Sequence, residues 1–286
     1  MKTAIFSILF YLSISSAFSG STQSDVDAIT SFIKQYSNPG TNAKKPPRQH
    51  LSKTEDAEAI KPGNNLLQLN YEGFTIWLDC EKRGAVKFRY NAHRDNGSFK
   101  RNKNFFLDPN VPKECQQYSG KSYKAKGQRY DRGHLVPANH LDYSKSAIKA
   151  TNTMTNILPQ AANMNRGAWL LTEEITECYR DIDELLIIGG VIWGNNQDND
   201  YFMKSHGIKT PDAFWKVIIR GVGQDERVLA WIIPNSQAAK RKMLDSYLVT
   251  VNEIERITGE KLPVVDYAKY DKPRESWIIP RGCNKG

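Results

Sequence analysis

The chain has 286 residues, of which 40% are hydrophobic and 25% are charged, which is enough apolar material to bury a sizeable core. Beyond the first 20 residues there is no long uninterrupted apolar run and no internal repeat, which excludes a multispan membrane protein and a solenoid. The formal charge of +9 favours anionic partners over cationic ones.

The N-terminus has the layout of a secretory signal peptide. Lys2 is followed by an apolar run from Ala4 to about Ile14 and then by small residues up to Gly20. We therefore expect residues 1–20 to direct export to the periplasm or the medium, and the mature protein to be soluble. A retained membrane anchor is the alternative, although the apolar core is short for a span.

Residues 21–63 are polar and contain the loop-like sequence Asn38-Pro39-Gly40 and a Lys/Pro-rich run at 44–48. Asp25 is placed to cap one short amphipathic helix. The remaining composition cannot bury much surface and predicts a flexible arm or pro-segment without catalytic residues.

Residues 64–286 are predicted to form one domain. Five runs rich in β-branched and aromatic residues predict strands, and two patterns with helical period predict helices. The predicted strands are Phe74–Leu78, Ala85–Tyr90, Leu185–Trp193, Phe214–Ile219 and Val228–Ile233, and the predicted helices are Gly167–Tyr179 and roughly Ser236–Ile257. Because strands and helices do not alternate regularly, we expect an α+β fold with a mixed or antiparallel central sheet and flanking helices.

Four cysteines, Cys80, Cys115, Cys178 and Cys283, lie far apart and form no CxxC pair or Cys/His cluster of the kind that binds zinc. In an exported protein the even number favours two disulfides. All three pairings remain open, and buried free thiols are the alternative if the protein is not exported.

The positive charge is concentrated between residues 81 and 132, which contain fourteen Lys and Arg against five Asp and Glu, a net of +9. Such a region attracts a polyanion and speeds encounter, whereas the alternative is a solvated face that only maintains solubility. Its position directly before the tetrapeptide described next favours nucleic acid.

The tetrapeptide DRGH at 131–134 ends an extended segment. A second extended segment is predicted from Thr151 to Leu158, with Pro159 breaking it before the helix that contains Trp169. This order of strand, strand and helix places His134 and Asn165 on different elements that face each other across a small cleft.

His134 is the candidate general base, because an imidazole can take a proton from water near neutral pH and a neighbouring cation holds it neutral. A structural hydrogen-bonded histidine is the alternative. His140 has a spacing that suits no metal pair, so we interpret it as structural. Asp131 is interpreted as a partner in a local ion pair.

Asn165 is the candidate metal ligand through its side-chain oxygen, because Mg²⁺ prefers oxygen and retains most of its waters. An N-cap of the following helix is the alternative role. Glu173 is about two turns later on the same face, where it is placed to hold the waters of the metal. Arg132 and Arg101 are phosphate-clamp candidates, although near Arg101 the neighbouring lysines are alternatives.

Around these residues the chain resembles the DNA/RNA non-specific endonuclease family, the ββα-metal nucleases that include endonuclease G and exported bacterial sugar-nonspecific nucleases. The resemblance covers roughly residues 70 to 270. Its most specific parts are DRGH at 131–134, NILPQ at 156–160, and NRGAW at 165–169 followed by Glu173.

The resemblance implies His134 as the base and Asn165 as the one direct Mg²⁺ ligand, with Mn²⁺ or another divalent cation as a possible substitute. It further implies that Glu173 contacts the metal through water, that Asn156 supports the site on the substrate side, and that Arg132 and Arg101 contact phosphate. Hydrolysis of DNA and RNA would then leave 5′-phosphate and 3′-hydroxyl ends without base readout.

One position departs from the family pattern. Where the family usually has an arginine four residues after the glutamate, this chain has Glu177, with Arg180 one turn further on. Either Arg180 substitutes for that arginine, or phosphate binding depends more on the basic region before DRGH.

The alternatives to a nuclease are a non-catalytic basic nucleic-acid-binding protein on the same fold and an exported phosphodiesterase with a small substrate. Intact His134, Asn165 and Glu173 argue against the first, and the extended basic region argues against the second. No membrane partner is expected, and a protein inhibitor and the oligomeric state are not indicated by the sequence.

Overall fold

The computed structural model describes residues 66–285, so the predicted signal peptide and N-terminal arm lie outside the described residues. In this part of the chain, two antiparallel sheets of six and three strands combine with helices, which confirms the α+β class. None of the helices between residues 66 and 285 is both long and apolar enough to cross a bilayer.

The larger sheet has the strand order β1-β2-β3-β7-β8-β9. Its strands are β1 (Leu66–Tyr71), β2 (Phe74–Asp79), β3 (Gly84–Ala92), β7 (Leu185–Ile192), β8 (Ala213–Arg220) and β9 (Arg227–Pro234). The five predicted strands correspond to β2, β3, β7, β8 and β9 with ends that agree within two residues. The prediction missed β1, because none of its residues is β-branched.

The smaller sheet contains β4 (Lys124–Ala125), β5 (Gln128–His134) and β6 (Ile157–Ala161). The predicted extended segment from Thr151 to Leu158 is therefore wrong, and Pro159 lies inside β6 opposite Arg132 instead of ending the strand. Because β6 pairs with β5 alone, proline on this edge strand removes no ladder hydrogen bond.

Five helices and five short 3₁₀ segments complete this part of the chain. The helices are α1 (Lys145–Ala150), α2 (Ala162–Met164, the π-helical Asn165–Trp169 and Leu170–Arg180), α3 (Met203–His206), α4 (Val251–Thr258) and α5 (Asp266–Lys269). The 3₁₀ segments are Lys113–Cys115, Ala138–Leu141, Met154–Asn156, Gly223–Asp225 and Arg241–Tyr247.

The predicted helix from Ser236 to Ile257 is wrong as one element. Only Arg241–Tyr247 and α4 are helical, and Leu248 between them is extended and pairs with Trp231. Thr250 then starts α4 with a capping box, in which its side chain accepts from the Glu253 N–H while the Glu253 side chain accepts from the Thr250 N–H.

The large sheet separates two apolar clusters. One face, with Phe88, Phe214 and Ile218, packs against the β5–β6–α2 unit, and the other, with Trp215 and Ile232, packs against α4 and α5. The ββα unit is thus held on one rigid face of the sheet.

Disulfides join Cys80 to Cys115 and Cys178 to Cys283, which confirms the prediction of two bridges and selects one pairing. The second bridge ties the last turn of α2 to the C-terminal segment. Each closes a long loop and thereby restricts the unfolded chain.

Candidate active site

His134 is the last residue of β5 and is only 8% exposed. Its Nε2 lies 2.9 Å from Oδ1 of Asn152. The amide nitrogen of Asn152 donates to the backbone oxygens of Asn102, at 2.5 Å, and Asn104, at 3.1 Å, which fixes Oδ1 toward the ring. Nε2 therefore carries the proton, and the lone pair of the neutral ring is on Nδ1.

Arg101 lies against the imidazole ring of His134. Its Nη2 is 3.2 Å from Nδ1 and 3.4 Å from Nε2, so the guanidinium approaches both ring nitrogens. Burial, followed by the charge of Arg101, lowers the pKa of His134 to about 3. The ring is thus neutral at physiological pH, as a general base must be.

Phe105 lies between His134 and Arg132. Its ring centroid is 5.5 Å from the imidazole, and the Arg132 guanidinium carbon is 3.8 Å from the Phe105 centroid. Arg132 also donates from Nη1 to the backbone oxygen of Gly120 at 2.9 Å. These contacts hold a half-buried cation beside His134, and the other guanidinium nitrogens of Arg132 make no hydrogen bond to residues 66–285.

Asp131 connects the DRGH tetrapeptide to α2. It accepts from Nε and Nη2 of Arg166 at 2.8 and 2.6 Å, and from the amide nitrogen of Asn165 at 2.9 Å. The expected local ion pair is therefore present, but Asp131 also orients the Asn165 amide. The side-chain oxygen of Asn165 receives no hydrogen bond from residues 66–285 and is available as a ligand.

Asn165 lies within α2, with φ −56° and ψ −46°, so its predicted alternative role as an N-cap is wrong. The turn from Asn165 to Trp169 is π-helical, a geometry that widens a helix locally and is frequent at functional sites. The Ala168 N–H bonds to the oxygen of Ala239 at 3.3 Å, outside the helix.

Both motif glycines allow close packing. A Cβ on Gly133 would collide with the Gln160 side chain of the neighbouring strand, and a Cβ on Gly167 would lie 2.8 Å from the backbone nitrogen of Arg241. The glycines thus allow β6 to pack close to β5 and the 239–241 segment to pack close to α2.

Trp169 anchors this assembly in the core. It is fully buried, packs edge-on against Phe88 and Phe214, and donates from Nε1 to the backbone oxygen of His134 at 3.1 Å. Trp169 therefore fixes both the end of β5 and helix α2 to the large sheet.

Glu173 lies half-buried on α2 near a buried cation that the sequence did not suggest. Burial raises the pKa of Glu173 to about 7, although the charges of Lys216 and Arg101 oppose this rise. Lys216 is fully buried, donates to the Thr172 hydroxyl at 2.7 Å and lies 3.7 Å from the centroid of Trp169. Burial lowers the pKa of Lys216 to about 8.

Asn156 supports the site rather than facing a ligand. It is fully buried, its side-chain oxygen accepts from the Val136 N–H, and its nitrogen donates to the oxygens of Val136 and Thr151. The substrate-side role implied by the resemblance does not suit this environment, because no polar group of the side chain is left for a phosphate.

His140 is buried and has partners on both ring nitrogens, as its structural interpretation requires. Tyr90 lies 2.8 Å from Nδ1, and Nε2 lies 3.2 Å from both the backbone oxygen of Glu173 and the carboxylate of Glu177. Burial lowers the pKa of His140, against the opposing effect of Glu177.

Arg180 does not take the place of the family arginine. Its side chain is 3% exposed, and all three guanidinium nitrogens contact protein oxygens, which belong to Glu177, Asp95 and the backbone of Asn139 and His140. Glu177 is likewise buried, so this position forms an interior ion pair and not a phosphate contact.

The donor set suits Mg²⁺ held through few protein atoms. No group of three His, Cys, Asp or Glu side chains within residues 66–285 could hold a metal. A single amide oxygen on Asn165, together with waters held by Glu173, is a donor set that Mg²⁺ tolerates, because this ion retains much of its hydration shell.

Three residues around the site, Asn152, Phe105 and Lys216, were not predicted from the sequence. Asn152 follows α1 in a polar Thr-Asn-Thr run, and this signal of a buried polar turn was interpreted as a strand. Lys216 stands in an apolar strand sequence, where a single lysine on the buried face indicates an interior cation.

Comparison with known proteins gives one family. The model described as DNA/RNA non-specific endonuclease matches residues 55–271, which is more than half of the chain. A nuclease of Nostoc sp. is 28% identical over 173 residues, covering 57% of this chain and 60% of the relative. Human mitochondrial endonuclease G is 24% identical over 199 residues, covering 66% of each chain.

The chain thus spans about half to two-thirds of the length of these relatives, which include mitochondrial nuclease EXOG of Xenopus laevis at 26% identity over 59% of this chain and 50% of the relative. A solved structure of an EndoG/EndoGI complex superposes with a TM-score of 0.56 at 17% identity, covering 70% of this chain and 86% of that one. At this identity the superposition supports the fold alone.

Proposed function

The chain belongs to the DNA/RNA non-specific endonuclease family, and from this premise we propose that it is an exported, Mg²⁺-dependent endonuclease that hydrolyses phosphodiester bonds of DNA and RNA. The observation that carries the proposal is the environment of His134, a neutral imidazole with its proton fixed on Nε2 by Asn152. Nδ1 keeps its lone pair, faces the exposed Arg101 and is the proposed base.

In the proposed reaction, Nδ1 of His134 accepts a proton from water, and the water oxygen attacks phosphorus. The bond from phosphorus to the 3′ oxygen of the preceding sugar breaks, and that oxygen takes a proton from solvent water, which leaves 5′-phosphate and 3′-hydroxyl ends. A bound divalent cation would supply positive charge to the phosphate in the transition state. Asn165 and Glu173 would hold it, and Arg132 would stabilise the phosphate oxygens.

Arg101 has two roles in this scheme. Before substrate binds, its charge adds to the effect of burial in lowering the pKa of the imidazole. When a phosphate binds, we expect the guanidinium to turn from the ring to the anion, because a charge-assisted bond to phosphate is stronger than a contact with a neutral ring. The substrate thereby removes the charge that suppresses the basicity of His134.

The test is cleavage of plasmid DNA and of RNA by purified protein with Mg²⁺, with EDTA, and with His134→Ala or Asn165→Ala. We expect cleavage only by the unmodified protein with metal. Asn163→Ala is the matched control for Asn165, since Asn163 is an exposed neighbour that contacts Gln237 instead of Asp131. Cleavage that survives EDTA, or an active His134→Ala, would contradict the mechanism.

Export is proposed on two grounds, the apolar N-terminal segment and the two disulfides, which persist in oxidising compartments. Cell fractionation with mass spectrometry of the mature N-terminus tests it. A processed protein in the medium or periplasm is expected, and recovery in a mitochondrial fraction, where several relatives are named, would contradict it.

A further inference from the structure

A second basic site lies beside the candidate active site. A cavity of about 500 Å³ opens at the β4–β5 turn, and its lining includes Lys124, Lys126, Arg129, Tyr130, Asp131 and Arg166. None of these is His134, Arg101, Arg132 or Glu173, so the cavity is separate from the proposed catalytic groups.

The cavity carries a surplus of positive charge. Its one acidic residue, Asp131, already pairs with Arg166. Lys124, Lys126 and Arg129 are exposed, and their side chains have no ion pair or hydrogen bond to any residue that the structure describes. Three exposed cations around one concave surface attract anions.

The hairpin holds these cations close together against their repulsion. Lys124 and Arg129 are directly opposite each other in the β4–β5 ladder, and like charges in that position destabilise a sheet. The turn between them is only Lys126 and Gly127, and the φ of +75° at Gly127 permits this tight connection. An anion bound between the side chains of Lys124 and Arg129 would reduce this repulsion.

The cavity lies along β5, the strand that ends at His134. The Cα atoms of Arg129 and His134, five residues apart on this strand, are separated by about 17 Å at the rise of an antiparallel strand. Asp131 lines the cavity and also orients Asn165. A single phosphate cannot span this separation, so the cavity and His134 would contact different phosphates of one strand.

An aromatic surface adjoins the cations. Tyr130 lines the cavity, and the ring of Tyr201, which is 43% exposed, lies 6.0 Å from the Tyr130 ring. Exposed aromatic faces next to cations accept bases without sequence preference.

We propose that this cavity is a subsite for a backbone phosphate of the substrate strand other than the phosphate that is cleaved. The inference rests on the proposed nuclease function and extends it to substrate length. Strands long enough to reach both His134 and the hairpin gain a contact that shorter oligonucleotides lack.

The test compares the triple variant Lys124→Gln/Lys126→Gln/Arg129→Gln with the unmodified protein on a 20-nucleotide single strand and on a dinucleotide, which contains a single phosphodiester bond. With the 20-mer we expect KM and the dissociation constant from fluorescence anisotropy to rise about tenfold, with kcat unchanged, and the salt slope of binding to fall by about 2. With the dinucleotide, whose one phosphate cannot occupy both sites, we expect equal kinetics.

The matched control is Lys261→Gln/Lys272→Gln/Arg274→Gln, which removes equal charge from exposed positions that do not line the cavity. Equal weakening by both triple variants would overturn the subsite in favour of a general field, as would an unchanged salt slope. Lys126→Gln alone, at the turn, gives a second variant that leaves the ladder intact and should weaken 20-mer binding by a smaller factor. Anisotropy tests the subsite even if the unmodified protein cleaves neither strand, an outcome that contradicts only the proposed function.

Discussion

His134 and His140 lie in the same stretch of chain, are both buried, and both have pKa values lowered by burial. His140 has a partner on each ring nitrogen, and these partners belong to the interior. His134 has one interior partner, Asn152, and meets the exposed Arg101 on its other side. Burial therefore does not distinguish a base from a structural histidine, whereas the partner of the second nitrogen does.

The largest contrast is expected from His134→Ala and His140→Ala. Loss of the base should reduce kcat by a factor of about 10² to 10⁴ with little change in melting temperature. His140→Ala leaves the buried Tyr90 hydroxyl without its partner and removes one contact of the buried Glu177 carboxylate, which keeps Arg180 and Asn139, so it should cost about 2 to 3 kcal/mol of unfolding free energy. Plasmid cleavage and urea unfolding of both variants measure this, and a stable, fully active His134→Ala would refute the comparison.

The interior network around His140 provides the next prediction. Glu177→Ala removes the carboxylate that Arg180 and His140 share in the core and should cost about 3 kcal/mol of unfolding free energy, because the buried guanidinium loses its buried counterion and keeps only the half-buried Asp95. Thermal unfolding measures the loss.

Glu174→Ala on the same helix is the control, since Glu174 pairs with the exposed Arg241 near the surface and its loss should cost less than about 1 kcal/mol. Similar losses for the two variants would show that the network around His140 contributes no more than a surface pair. Glu177→Arg, which restores the residue usual in the family, is expected to destabilise the protein further, because it places a second cation beside Arg180.

Much of this comparison was accessible from sequence. Five of the six strands of the large sheet were predicted because their β-branched and aromatic runs are long, and the candidate site residues were chosen because two short motifs occur in a fixed order. The partner of each motif residue was not predictable. Asn152 reaches His134 from the turn after α1, and Asp95 reaches Arg180 from the basic region at residues 81–132, so both contacts depend on tertiary folding.

The boundaries failed where local rules competed. Pro159 was interpreted as a strand breaker, but it lies on an edge strand whose outer side needs no donor. The helical period from Ser236 to Ile257 continues across a break that the Thr250 capping box and the Leu248 bridge impose. Glu177 illustrates the same limit, because a charged residue in a helix gives no sign of burial.

Removal of the partner of His134 should have a smaller effect than removal of the base. Asn152→Ala deletes the acceptor that keeps the proton on Nε2 and detaches the loop at Asn102 and Asn104, so we expect kcat to fall by about 10- to 100-fold. Asn104→Ala is the control, since it retains the backbone oxygen that Asn152 contacts. An equal loss in the two variants would contradict a specific role of the Asn152 side chain, because Asn104→Ala leaves its hydrogen bonds in place.

Arg101→Gln is expected to have the smallest effect, and it tests the contact that Arg101 makes with Nδ1 of His134. Burial remains the main cause of the lowered pKa, but without the neighbouring charge the pKa of His134 should rise from its value of about 3. Because the protonated ring cannot act as a base, the acid limb of kcat/KM should move to higher pH, beyond any loss of phosphate binding.

The effect of Arg101→Gln on stability has the opposite sign. Below the unfolded pKa of about 6.5 the unfolded chain binds more protons at this histidine than the native state does, so the free energy of unfolding falls with acid down to about pH 3. Arg101→Gln should reduce that acid-induced loss, whereas Lys103→Gln, an exposed cation on the same loop with no contact to the ring, should change neither profile. An acid limb that stays in place in Arg101→Gln would show that Arg101 does not control the charge of His134, and the distinction between the two histidines would then depend on Asn152 alone.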